Sequence, residues 1–408
     1  MTHRARFAIP LVTLMAVLCC SLRGSSAPAA QRFQSVVSSA VAAYMKNGTP
    51  GVEVVYVGET GGHVVYQMLP FGTAGWSGSH VTIDASTVFE IGSVTKVFTA
   101  TLASLGLAKA GISADSPVGP TLEGYAGVTP SSSFQHITFT QLATHTSGLP
   151  TNGIPGHASD ELFADLPPSP ETVTWWNSFN AARSPGTCWD YSNSGFVTLG
   201  FAASQILAPG KTSQYNALLA NDVTGPLSMY CTNAQLSKIP CPAAKGTILL
   251  GDGTQRRVRT SASDLKSDGF DMLSWVEAQL GLYTRTVPPE PLTTAIAATQ
   301  KIAVTDVPVC GKNGKRTMAL GWDIGWLDPH DHARGRIYEK NGATSLGGMS
   351  DAVAFSLDRK AGVVVLTNAF RQAGSDAEGA TGDEEPAAAN PQALANQLLR
   401  TWVELNPS

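Results

Sequence analysis

The chain has 408 residues, of which 43% are hydrophobic and 14% charged, with a formal net charge of −4. That is enough apolar material for a large core, in one big domain or two intertwined ones. The sequence has no basic runs, which excludes a nucleic-acid footprint and any partner of that kind.

Taken in chain order, Met1 to Arg6 is a short basic head, followed by the apolar run FAIPLVTLMAVLCC and the small residues SSAPAA. The run is too short to span a bilayer comfortably, and the pattern predicts a secretory signal over residues 1–29. A retained N-terminal anchor is the alternative. Cleavage removes Arg4, Arg6 and Arg23 and leaves a net charge of about −7. The expected product is an acidic, periplasmic or secreted protein, monomeric and without a membrane span in its mature form.

A helix is predicted over 31–47, then a hairpin from GVEVVYVGE and HVVYQMLPFG, two β-rich runs bounded by glycines. From Glu90 the segment EIGSVTKVFTATLASLGLAKAG gives a helix that is apolar nearly all round, the pattern of a buried one. Helical patterns with Pro/Gly/Ser loops continue to about Gln300, the clearest being DGFDMLSWVEAQLG. Strands return in TMALGWDIGWL, GRIYEK, DAVAFSL and AGVVVLTN, and the helix NPQALANQLLRTWVEL follows. Between these last two, Arg371 to Asn390 has the composition of a flexible loop. The order predicts an α/β (α+β) fold: one antiparallel sheet built from both termini and flanked by helices, with a large, mainly helical domain inserted. The sheet domain would comprise 30–92 and 305–408 and the helical domain 93–304, with the active site between them.

Loss of the signal leaves Cys188, Cys231, Cys241 and Cys310, which allow three pairings. Cys231 and Cys241 flank a short Pro-containing loop and are expected to be bridged, with Cys188 and Cys310 paired or buried. No cysteine or histidine grouping has zinc spacing, and His330 and His332 lie in a turn-rich loop. No metal is expected.

Lys96, three residues after Ser93 at the mouth of the apolar helix, needs a reason. A serine hydroxyl is a poor nucleophile until a base takes its proton. A lysine serves when its surroundings favour the neutral form, and residues i and i+3 share one helix face. At a helix start, backbone N–H groups and the positive dipole end also favour a developing oxyanion. Ser263-Asp-Leu-Lys266 repeats the pattern in a polar stretch and is read as structural. Tyr191-Ser-Asn193 can present a phenol and a carboxamide to the same side. Lys340-Asn-Gly342 ends a β pattern, whereas its copy Lys312-Asn-Gly314 has no strand around it and reads as a turn.

Ser93-x-x-Lys96, Tyr191-x-Asn193 and Lys340-x-Gly342, in this order and spacing, resemble the three motifs of class C β-lactamases and related penicillin-recognising serine peptidases. ITFTQLATHTSGLP, SPGTCWDYSN and GATSLGGMSDAVAFSLDRKAGVVVLTN carry the likeness over roughly Val52 to Phe370. Within that family the wording is most similar to periplasmic D-alanyl-D-alanine carboxypeptidase/endopeptidases. The resemblance implies that Ser93 is acylated, Lys96 takes its proton and Tyr191 protonates the departing nitrogen. It further implies that Asn193 binds a substrate amide, Lys340 faces a substrate carboxylate, and the N–H groups of Ser93 and Ala343 form the oxyanion hole. The implied substrate is a β-lactam or a peptidoglycan peptide, with no cofactor, and an esterase or a penicillin-binding sensor without turnover is the alternative. One position departs: Asn341 stands where the family has Thr or Ser. His145 in THTSGLP is read as a turn-stabilising residue.

Overall fold

The computed structural model describes residues 27–76, 78–154, 158–210, 212–249, 255–257, 264–344, 347–371 and 390–406. Most of the predicted signal segment, Ser263 and the interior of the Arg371–Asn390 loop lie outside the described residues.

An eight-stranded antiparallel sheet draws its strands from both ends of the chain, as the sequence order predicts. Its spatial order is His63–Gly72, Gly51–Thr60, Ala361–Thr367, Met349–Ser356, Arg336–Thr344, Asp323–Trp326, Lys315–Met318 and Val304–Pro308. The Met349–Ser356 and Ala361–Thr367 strands are buried at every residue, because helices cover both faces of the sheet centre. On one face, Phe33 of the Ala27–Tyr44 helix and Trp402 of the Pro391–Leu405 helix close on Tyr56, with ring centroids 4.7 and 5.0 Å from Phe33. Val55 and Val57 alternate to the other face, into the core shared with the Thr95–Ala110, Asn193–Leu207 and Gly269–Leu280 helices.

The Thr95–Ala110 helix is buried from Thr95 to Leu107, which accounts for its apolar circumference. Phe98 stacks on Trp275 at 3.8 Å between centroids, tying this helix to Gly269–Leu280. The TMALGWDIGWL run, expected as one strand, is two. The chain breaks at Gly321, whose φ is 82° and whose backbone lies so close to the helix that a Cβ would stand 3.3 Å from Val97 Cα. Lys312–Gly314 lies in the exposed turn between Val304–Pro308 and Lys315–Met318.

Under the sheet, Glu53 is fully buried and neither carboxylate oxygen has a hydrogen-bond partner among the described residues. Burial, then the neighbouring Asp268 and Asp84, push its carboxyl well above the usual range. A carboxyl raised by folding contributes stability below its unfolded value that is lost as pH rises through the folded one. Glu53→Gln is therefore expected to flatten the decline in unfolding free energy as pH rises above about 5. Urea melts across that range check it, and parallel curves for the two proteins would show that Glu53 carries none of the decline.

Candidate active site

Ser93 lies in a 3-10 turn, Gly92–Val94, that runs directly into the Thr95–Ala110 helix. Gly92 has φ 47°, and a Cβ there would come 2.7 Å from the Ala343 nitrogen. From the opposite side, a Cβ on Gly342 would collide with the Ile91 carbonyl and stand 3.3 Å from the Ser93 nitrogen. Two absent side chains thus let the turn and the Arg336–Thr344 strand meet backbone to backbone. The Asp323–Trp326 strand pairs with this strand only as far as Glu339, so Lys340–Thr344 is paired on one side, with Met349–Val353. That unpaired margin borders the serine.

Lys96 sits one helical turn beyond Ser93, and its Nζ donates to Ser93 Oγ at 2.9 Å. The Tyr191 hydroxyl lies 2.6 Å from the same oxygen. Lys96 Nζ is 4.9 Å from the Tyr191 ring centroid and Lys340 Nζ is 5.6 Å from it, so two ammonium groups border one phenol ring. Lys340 also donates to Asn341 Oδ1 at 2.9 Å. Asn193 Nδ2 donates to Asn152 Oδ1 at 2.8 Å, pairing two carboxamides at the cleft. The three motifs therefore converge, and Asn152 joins them.

The loop bearing Tyr191 is fixed by several bonds. Ser192 caps the Asn193–Leu207 helix by accepting from the Gly195 N–H, and its hydroxyl donates to the Pro150 carbonyl at 2.8 Å. Thr151 Oγ1 donates to the Tyr191 carbonyl at 2.9 Å. Three residues before Tyr191, Cys188 is disulfide-bonded to Cys310, and Trp189 N–H donates to the Pro308 carbonyl at 2.8 Å. This bridge clamps the tyrosine loop to the edge of the large sheet. Cys231 and Cys241 form the second disulfide, as expected from the sequence.

His145 does more than hold a turn. Its Nδ1 accepts the Ser192 N–H at 3.1 Å, and its ring lies 4.5 Å from that of Tyr191. Burial, and then the Lys96, Lys340 and Arg316 cations, push the imidazole well below its usual value, which keeps Nδ1 unprotonated and able to accept.

Two cavities flank this row. One, of about 330 Å³, is lined by Ser93, Lys96, Asn152, Asn193, Asp264 and Ala343 among others. The other, of about 160 Å³, is lined by Tyr191, Lys340, Asn341, Arg316 and His145 among others. Sequence reading did not single out Asn152, Asp264 or Arg316, because no short motif marks residues that meet only through the fold.

A serine flanked by a buried lysine and a tyrosine, on this sheet-and-helix framework, defines a serine hydrolase of the β-lactamase type. The family model described as Beta-lactamase matches residues 37–388, and the chain belongs to that family. It is 27% identical over 320 residues to a β-lactamase of Pseudomonas fluorescens, covering 70% of this chain and 80% of that one. It is 26% identical over 302 residues to the D-alanyl-D-alanine-carboxypeptidase/endopeptidase AmpH of Escherichia coli (strain K12), covering 71% of this chain and 73% of that one. Among solved structures, a class C β-lactamase in complex with cefoxitin superposes with a TM-score of 0.68 at 20% identity, over 92% of this chain and 99% of its own. A D-alanine carboxypeptidase AmpC from Burkholderia cenocepacia gives 0.64 at 22% identity, over 84% of this chain and 95% of its own, and both likenesses speak for the fold.

His145→Phe keeps a ring beside Tyr191 and leaves the Ser192 N–H without its acceptor, a loss of about 1–3 kcal/mol. A base whose folded value is depressed contributes stability above its unfolded value, near pH 6.5, that is lost as pH falls. The variant is expected to be less stable at neutral pH and to lose less than wild type below about pH 6. Chemical melts on the acid side read both effects, and an unchanged acid limb would remove the imidazole from the account.

Proposed function

We propose that Ser93 is the nucleophile of an acyl-enzyme hydrolase that cleaves peptides ending in D-alanine-type carboxylates, with β-lactams reacting as cyclic analogues. The observation that carries this reading is Ser93 Oγ held within hydrogen-bond reach of both Lys96 and Tyr191. Ser93 Oγ attacks the carbonyl carbon while Lys96, unprotonated at that moment, takes the hydroxyl proton. The oxyanion is received by the N–H groups of Ser93 and Ala343, a device whose removal costs about a hundredfold or more in rate. Tyr191 gives a proton to the departing nitrogen, the C–N bond breaks, and water later releases the acyl group from Ser93.

Asn193, paired with Asn152, grips the acyl-side amide, and Lys340 takes the carboxylate of the leaving group. Arg316 lines the same cavity as Lys340 and adds a second cation there. Its guanidinium is held by Asp323 at 2.7 Å and lies 4.9 Å from the Trp189 ring centroid. The names of the β-lactamase and D-alanyl-D-alanine-carboxypeptidase relatives lend support to this substrate class. Ester hydrolysis is the second reading. It is favoured by the bond from Lys340 to Asn341 Oδ1, since a lysine engaged by its neighbour grips a carboxylate less strongly. The reading includes export to an oxidising compartment, supported by the two disulfides. No helix among the described residues is long and apolar enough to cross a membrane.

Intact-mass and peptide mapping after treatment with benzylpenicillin or a fluorophosphonate should place the adduct on Ser93, and Ser93→Ala should abolish it together with release of D-alanine from a D-alanyl-D-alanine peptide. An adduct that persists in Ser93→Ala, on Ser263 for example, would sink the assignment. Asn341→Thr frees Lys340 from its neighbour and restores a hydroxyl donor. A hydrogen bond to a charged group is worth about 1.5–3 kcal/mol, so kcat/KM for carboxylate-bearing β-lactams should rise roughly ten- to a hundredfold. Simple esters should change little. A loss confined to β-lactams would show that Asn341 already serves the carboxylate.

A further inference from the structure

We propose that the cavity beside Ser93 is a cation subsite, taking acyl donors that carry an ammonium group with Asp264 as its counter-ion. The inference rests on the acyl-enzyme reading above and names the substrate class of that same site.

The cavity of about 330 Å³ holds Ser93, Lys96, Asn193 and Ala343, so an acyl group seated on the serine extends into it. Its lining mixes polar side chains with Leu162, Phe163 and Phe196, and among the described lining residues Asp264 is the acidic one. Asp264 immediately precedes Leu265, whose N–H donates to Thr95 Oγ1 at 3.0 Å and whose carbonyl accepts the Ile91 N–H at 3.0 Å. The acid is therefore fixed to the same backbone that carries Ser93.

Two lysines lie near Asp264, and each has other contacts. The Lys266 ammonium donates to the Ala234 and Asp264 carbonyl oxygens, both at 3.0 Å, and not to the Asp264 carboxylate. Lys96 donates to Ser93 Oγ and must be unprotonated to act as the base. Burial raises the Asp264 carboxyl above its usual range, against the opposing pull of Lys96 and Lys266, and Asp160 raises it further. A carboxylate in such a place is under-compensated until a cation arrives. An ammonium on the acyl donor supplies that cation, and Leu162, Phe163 and Phe196 in the lining reduce its contact with water, where a charge pair is weaker.

The test uses two penicillins that differ by one group: ampicillin, with an α-ammonium on its acyl side chain, and benzylpenicillin, which lacks it. Acylation of Ser93 is followed by intact mass on the full chain. Wild type should acylate with ampicillin about tenfold faster, the low end for one charge-assisted hydrogen bond, and Asp264→Asn should bring the ratio to about one. Asn tolerates the left-handed φ of 69° found at Asp264, and Asp264→Gly offers a second variant suited to that backbone. Equal wild-type rates, or a preference that survives both substitutions, would overturn the subsite. Slowing of both penicillins alike in the variants would also overturn it, since Asp264 would then be acting on Lys96. If neither penicillin acylates Ser93, the acyl-enzyme reading fails by itself. The subsite is then decided by calorimetry of D-alaninamide against N-acetyl-D-alaninamide. Tighter binding of the free amine, lost in Asp264→Asn, supports it, and equal binding rejects it.

Discussion

Contact between the Gly92–Ser93 turn and the Gly342–Ala343 end of a strand is the constraint on which the rest of the site depends. Neither segment can approach the other if it carries a side chain at the glycine, since a Cβ on either residue would meet backbone of its partner. The turn belongs to the start of a helix buried from Thr95 to Leu107, and the strand belongs to the middle of the sheet. Both are held by the core that the helix and the sheet share, and the serine inherits its rigidity. A nucleophile placed this way needs no loop closure to meet the N–H groups that would receive its oxyanion, which is how preorganisation lowers a barrier.

Charge at the site is arranged around the same contact. Lys96, Lys340 and Arg316 gather near Tyr191 and His145, and burial first, then their combined field, holds the imidazole neutral. Behind the strand, Glu339 is pushed up to about 7 by burial and then by Asp323, while Asn396 donates to it at 2.6 Å. The two kinds of group limit stability from opposite sides. His145 favours the fold above its unfolded value, and the raised carboxyls of Glu53 and Glu339 favour it below theirs. A stability maximum between the two limbs follows from the burial of these groups and not from the net charge of the chain.

Much of this was legible in the sequence, for reasons that are local. Ser93 and Lys96 are one helical turn apart, Tyr191 and Asn193 share a loop, and Lys340 and Gly342 share a strand face, so spacing alone groups each pair. The apolar circumference of the serine helix read correctly because burial there follows from pattern, and the two glycine-bounded β-rich runs do pair as a hairpin. The split at Gly321 was not legible, since a run of Met, Ala, Leu and Trp looks continuous until a helix presses against its backbone. Asp264 and Arg316 were hidden for a related reason. Asp264 sits inside the Ser263–Lys266 pattern read as structural and Arg316 in a segment without a motif, and only the tertiary register brings either to the cleft. Cys188 could be left only as paired or buried, because its partner lies at the far end of the chain and the bridge depends on the sheet edge.

The two cavities differ in charge as well as in place. The one that includes Tyr191 and Lys340 also holds Arg316, Asp323 and Glu339, and since Asp323 pairs with Arg316, Lys340 is the cation proposed to meet an anionic leaving group. The one that includes Ser93 and Asn193 holds Asp264 and the base Lys96, and the proposed subsite would place a cationic acyl group beside Asp264. On that proposal, a substrate carrying an amine on the acyl side and a carboxylate on the leaving side would be oriented by Asp264 at one end and Lys340 at the other. Direction of attack would then be selected by electrostatics at the two ends. The glycine contact in the middle would remain free to serve the chemistry at the serine.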